Sequence, residues 1–176
     1  MNATVHASAV LAGAHAILIR GPAGSGKSRL VLDLIQSASS GPLVFARLVA
    51  DDRVHVEAAH DRLIARPPAA LAGLLEVRGL GIRQLAYEPM AVVSWVVDLD
   101  AATSLRMPDD TASGTIIEGV RLARLAVAPG CDPFPMVLAA LTSRPSAAAA
   151  HGPDKAWPGG HDGQRLAIAP LRASQM

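Results

Sequence analysis

Gly21-Pro22-Ala23-Gly24-Ser25-Gly26-Lys27-Ser28 reads G-x-x-x-x-G-K-S, the spacing of a phosphate-binding loop. Its flanks have the required character. Ala16-Ile17-Leu18-Ile19 is a short apolar run suited to a buried strand, and Arg29-Leu30-Val31-Leu32-Asp33-Leu34-Ile35 carries apolar residues at helical spacing. Glycines let a backbone turn tightly and bring N–H groups against phosphate oxygens. The N-terminus of the following helix adds a favourable dipole. In this pattern Gly21, Pro22, Ala23, Gly24, Ser25, Gly26, Lys27 and Ser28 cradle the nucleotide. Lys27 reaches the outer phosphates, and the Ser28 hydroxyl is a ligand for Mg²⁺. A chance glycine turn before a helix is the competing reading, and the flanking strand and helix patterns count against it.

Working outward, the residues before the loop suggest two strands, 4–11 and 15–20, with a turn at Gly13. Behind it, a helix over 26–38 is stopped by Ser39-Ser40-Gly41-Pro42. Residues 43–50 read as a returning strand that ends in Asp51-Asp52. Carboxylates at the end of a strand matter, because reacting groups in open α/β sheets gather beyond the carboxyl ends of strands. The returning strand is expected beside the loop strand. Adjacent side chains on an extended segment diverge. Asp51 and Asp52 therefore either divide metal binding from acceptor chemistry or form a metal-ligand pair with no base role. Residues 54–57 and 62–66 resemble a hairpin turning at His60-Asp61, and Pro67-Pro68 introduces a short helix over 69–74. The glycine-rich stretch 75–83 reads as a loop with close backbone contacts, and Glu76 in it is a candidate metal or phosphate group. Residues 91–99 form a strong strand, 100–115 a polar connection holding Arg106, and 116–127 one or two short strands around Gly119. Asp132 caps a last helix that runs to about Leu141. Residues 1–143 then form one catalytic domain, and the Pro-, Ala- and Gly-rich residues 144–176 form a low-complexity, poorly ordered tail.

Composition narrows the class. Apolar residues make up 51% of the chain but aromatics only 3%, so the core must be built from Leu, Val, Ile and Ala. A formal net charge of +1 gives no electrostatic argument for nucleic acid or an anionic membrane. The longest apolar run, 90–97, falls short of the roughly 20 residues of a membrane span. A single cysteine, Cys131, excludes an internal disulfide framework and fits a cytoplasmic setting.

Val5-His6, the loop 21–28, Leu48-Val49-Ala50-Asp51-Asp52 and Leu75-Glu76-Val77-Arg78-Gly79-Leu80-Gly81-Ile82 together resemble the catalytic domain of bacterial HPr kinase/phosphorylase. The resemblance spans roughly 4–142 and is strongest up to Arg83. It implies an α/β fold with a P-loop nucleotide-binding core, a mixed β-sheet and few helices, of the HPr kinase/phosphoenolpyruvate carboxykinase type. It also implies a serine kinase that uses ATP and Mg²⁺ to phosphorylate a seryl hydroxyl on HPr, the small phosphocarrier of the sugar phosphotransferase system. Many members run the reverse phosphorolysis, and many assemble as hexamers, so a homo-oligomer is expected. By position, Asp52 matches the acid/base carboxylate, Lys27 the catalytic lysine, His6 the upstream active-site histidine, and Ser28 and Glu76 the Mg²⁺ ligands. Arg106 matches a later catalytic arginine on a looser alignment.

Two departures stand out. The chain starts almost at the catalytic domain, so regulation by the family's N-terminal domain is not expected. In Ala126-Val127-Ala128-Pro129-Gly130-Cys131 the cysteine takes the place of an arginine that the family ties to dephosphorylation. A neutral thiol cannot make the bidentate phosphate contacts of a guanidinium, so phosphorolysis is expected to be weak. Two other functions share the loop: a kinase of small molecules, and a nucleotide-dependent regulatory module without efficient transfer.

Overall fold

The computed structural model describes residues 4–102 and 113–143. Within them the loop strand, β2 (His15–Arg20), lies between β1 (Thr4–Ala12) and β8 (Ala91–Asp98). β1 is antiparallel to β2, whereas β8 is parallel to it, so the sheet is mixed. β4 (Arg53–Ala59) and β5 (Arg62–Arg66) form the expected hairpin, with His60 and Asp61 both at positive φ. β4 pairs with β1 and β5 pairs with β8, which closes β2-β1-β4-β5-β8 into a ring. Closure removes open strand edges that would otherwise seek partners. β9 (Gly114–Ile117) and β10 (Val120–Ala126) extend the sheet from β8, with β10 parallel to it.

Each ring strand turns one face to a shared cluster that includes Ala7, Ala9, Ala16, Leu18, Leu63 and Ala65. Small side chains suit the narrow space inside few strands, which accounts for an alanine-rich, aromatic-poor composition. The other faces of β1, β2 and β8 present Val10, Ile17, Ile19, Trp95 and Val97 to helices α1 (Lys27–Ser40) and α2 (Pro133–Thr142). α1 buries Leu30, Val31 and Leu34 there. Asp132 caps α2 as expected, its side chain accepting the Phe134 N–H at 3.1 Å.

Several elements differ from the sequence reading. The returning strand, β3 (Ala46–Ala50), is shorter than 43–50 and is not beside β2. β1 intervenes, and β3 pairs with it from Ala12↔Ala46 to Ala9↔Ala50. β1 ends at Ala12, so residues 43–45 have no strand to pair with. Beyond Pro68 a single 3-10 turn, Ala69–Leu71, replaces the expected helix. Gly73 (φ 76) follows it, so close to Gln84, Tyr87 and Leu85 that a Cβ there would clash. The stretch read as a loop over 75–83 is instead a hairpin of its own, β6 (Leu74–Val77) with β7 (Gly81–Gln84). Gly79 and Gly81, both at positive φ, make its turn. The expected tail, residues 144–176, lies outside the described residues.

Candidate active site

Asp51-Asp52 forms the corner where the chain passes from β3 to β4, two strands that share one edge of β1. The corner is a tight turn. The Arg53 N–H bonds the Asp51 carbonyl at 2.8 Å across Asp52, whose φ is 64°. An i→i+2 bond around a positive φ is a γ-turn of the rare, strained type. Its effect is to send the two carboxylates apart. Asp51 is buried and accepts from Ser28 Oγ at 2.9 Å, from Ser8 Oγ at 2.5 Å, and from the Glu76 N–H at 3.2 Å. Asp52 is 65% exposed and faces His6, whose Nδ1 stands 3.3 Å from its Oδ1 and 3.1 Å from its carbonyl oxygen.

Lys27 connects the two sides. Its ammonium donates to the Gly21 and Pro22 carbonyls at 3.0 and 2.9 Å and lies 3.1 Å from His6 Nε2. With Lys27 as donor, Nε2 accepts and the imidazole proton sits on Nδ1, toward Asp52. Burial lowers the Lys27 pKa from 10.5, against the opposing pull of Asp51 and Asp52. Gly21 is wedged on β8's continuation. A Cβ there would stand 2.7 Å from Ser25 Oγ and 3.0 Å from Leu99 Cβ, which only glycine avoids.

The loop has the features that an anion would complete. Gly26 (φ 94) begins α1 with no side-chain cap, and the first turn holds no acidic residue. Its N–H groups are therefore left for an external acceptor. Ser25 Oγ is buried without a hydrogen-bond partner. For a divalent cation the donor set is hydroxyl and carboxylate oxygen, Ser28 with Asp51, which suits an ion that keeps most of its ligands as water and phosphate. Of the expected Ser28, Asp51 and Glu76 set, the structure joins the first two by their side chains. Glu76 touches Asp51 through its main chain, and its side chain is exposed. Among the described residues no three His, Cys, Asp or Glu side chains cluster into a metal-holding group. Arg106 lies outside the described residues.

Two groups escaped the sequence reading. Ser8 is fully buried and second to none in its closeness to Asp51; a lone hydroxyl in an apolar strand was its only signal. Beneath the loop, Asp98 accepts from Arg20 Nε at 2.7 Å and Nη2 at 2.9 Å, and from Arg124 Nε at 2.6 Å. An apolar strand ending in aspartate, parallel to the loop strand, would pass for a second metal carboxylate. The two guanidinium groups occupy it instead.

Part of the chain is similar to known proteins. Residues 1–87 match the family model of the HPr serine kinase C-terminal domain. The HPr kinase/phosphorylase of Halalkalibacterium halodurans is 45% identical over 67 residues, 38% of this chain and 19% of that protein. That of Clostridium tetani is 46% identical over 66 residues, with the same shares. The chain thus spans about a fifth of the length of these relatives. Among solved structures, the Hpr(Ser) kinase/phosphatase from Coxiella burnetii superposes with a TM-score of 0.62 at 24% identity, over 78% of this chain and 92% of that one. At that identity the likeness is one of fold.

Proposed function

We propose that this chain, which over residues 1–87 belongs to the HPr serine kinase C-terminal domain family, transfers the terminal phosphoryl group of ATP to a seryl hydroxyl on an HPr-type phosphocarrier. The observation that carries the reading is the divergence of Asp51 and Asp52. One carboxylate is buried against the phosphate-loop serine, and its neighbour is exposed beside His6. A kinase needs that division between a cation holder and an acceptor base.

In this reading the loop amides and Lys27 hold the phosphates, and Lys27 exchanges at least one of its carbonyl bonds for a phosphate oxygen. Ser28 and Asp51 would hold Mg²⁺, which would supply charge neutralisation on the phosphates. Asp52 accepts the seryl proton as the oxygen attacks the terminal phosphorus and the bond to ADP breaks. His6, fixed between Lys27 and Asp52, orients that carboxylate. By the family resemblance, Arg106 would serve as a phosphate-stabilising cation and the Glu76 carboxylate as a second metal ligand. With Cys131 in place of arginine, the reverse phosphorolysis is weak.

Labelled ATP with Mg²⁺ and an HPr-type carrier tests the reading. Label on a carrier serine supports it. Label on a small metabolite alone would replace it with a small-molecule kinase, and nucleotide binding without transfer to any acceptor would leave a regulatory module. Lys27→Ala should abolish nucleotide use, whereas Asp52→Asn should retain ATP binding and lose transfer.

A further inference from the structure

We infer that Asp98 is a positioning residue for the phosphate loop, acting through the bidentate grip on Arg20 that fixes where Gly21 and Lys27 stand; the inference rests on the nucleotide-binding reading of that loop. Arg20 is the last residue of β2, and Gly21 opens the loop. Four contacts converge on this junction. Both Asp98 oxygens hold the Arg20 side chain, at 2.7 and 2.9 Å. The Leu99 N–H bonds the Arg20 carbonyl at 2.8 Å. Gly21 packs against Leu99, and its carbonyl accepts from Lys27. A displacement of Arg20 therefore passes to the Gly21 carbonyl and from there to the Lys27 ammonium.

The grip is built to be stiff. A planar guanidinium meeting both carboxylate oxygens fixes distance and angle together. Arg20 and Asp98 are register partners on parallel strands, so neither side chain must bend to reach the other. Arg124 on β10 holds Asp98 from the far side, and the Val127 N–H bonds the Asp98 carbonyl at 2.8 Å, tying the third parallel strand to the same point. The carboxyl stays ionised: burial pushes its pKa up, but hydrogen bonds and charge from Arg20 and Arg124 more than offset this. Arg20, Asp98 and Arg124 thus serve the nucleotide without touching it.

Binding of a fluorescent ATP analogue with Mg²⁺ to the full chain tests this, with Arg47→Met as the control. Arg47 forms an ion pair of similar length with Glu88, at 2.8 Å, away from the loop. Asp98→Asn and Arg20→Met should each raise the nucleotide Kd by about tenfold, as a displaced loop predicts. Arg20→Lys, which keeps charge but not the fork, should restore only part of it. Amide exchange at Ser25, whose N–H bonds Pro22 within the loop, should quicken in the same variants, and Arg47→Met should change neither readout. If Asp98→Asn and Arg20→Met lose thermal stability while their nucleotide Kd and Ser25 exchange match the parent, Asp98 is merely structural and the inference is overturned. If the parent chain itself binds no nucleotide, it is the reading of the loop that fails. Should Asp98→Asn not fold, Arg20→Met and Arg20→Lys decide alone.

Discussion

The Ser8 hydroxyl lies 2.5 Å from Asp51 Oδ1, the same oxygen that Ser28 reaches from the phosphate loop at 2.9 Å. Strand β1 therefore holds the carboxylate that also bonds the loop serine. Ser8→Ala removes a buried hydrogen bond to a charged acceptor, which should cost about 2 kcal/mol of stability. Asp51 also loses its tether on that side. The Mg²⁺ concentration needed for half-maximal transfer should rise, with little change at saturating Mg²⁺. Thermal melting and a Mg²⁺ titration of carrier phosphorylation check both parts. An unchanged titration would show that Ser8 serves stability alone.

Asp52 sits at φ 64° in its γ-turn, a region in which a β-carbon is disfavoured and asparagine or aspartate fares better than most residues. Melting temperatures should therefore rank glycine above aspartate and aspartate above alanine at this position. The Asp52→Gly gain is about 0.5 kcal/mol, after its extra freedom in the unfolded chain is offset. The same variant should show no phosphoryl transfer. A stabilised but inactive protein would identify the turn as strain kept for function. If Asp52→Gly melts below the parent, the strain argument fails.

Acid stability offers a test of Asp98. Its folded pKa lies below the ordinary value of 3.8. A depressed carboxyl contributes stability that is fully present above the unfolded value and is lost as pH falls through the folded one. Asp98→Asn should therefore be less stable than the parent at neutral pH, by about 2 kcal/mol. The difference should shrink as pH drops from about 4 toward the folded value. Urea unfolding at a series of pH values measures it, and a difference that holds constant down to strong acid would contradict the assignment.

Cys131 is exposed in the turn just ahead of the Asp132 cap, so an arginine fits there without repacking. Cys131→Arg should increase phosphate-dependent release of pyrophosphate from seryl-phosphorylated carrier, by about tenfold if one charged contact is restored. The forward rate should move little. Robust phosphorolysis by the parent chain would remove the premise.

Much of this was readable from neighbouring residues. The loop 21–28, the helix after it, the 60–61 hairpin turn and the Asp132 cap all depend on residues a few positions apart, and each is found where its local pattern indicates. The divergence of Asp51 and Asp52 also follows from their adjacency, although the γ-turn that enforces it does not. The β6–β7 hairpin differs from the expected loop because its two glycines, read as places of close backbone contact, supply the positive φ of a turn.

What the sequence could not carry is partnership between distant strands. β1 comes first in the chain, yet it separates the loop strand from β3 and brings Ser8 to Asp51. Arg20, Asp98 and Arg124 meet only because β2, β8 and β10 run parallel in one register. Motif chemistry is written in spacing along the chain, where covalent geometry fixes which groups are neighbours. Register and strand order are decided by hydrogen-bond pairing and by which faces close around the core. Those are choices of the whole fold, and they determine which carboxylate meets the loop serine and which is taken up by arginines.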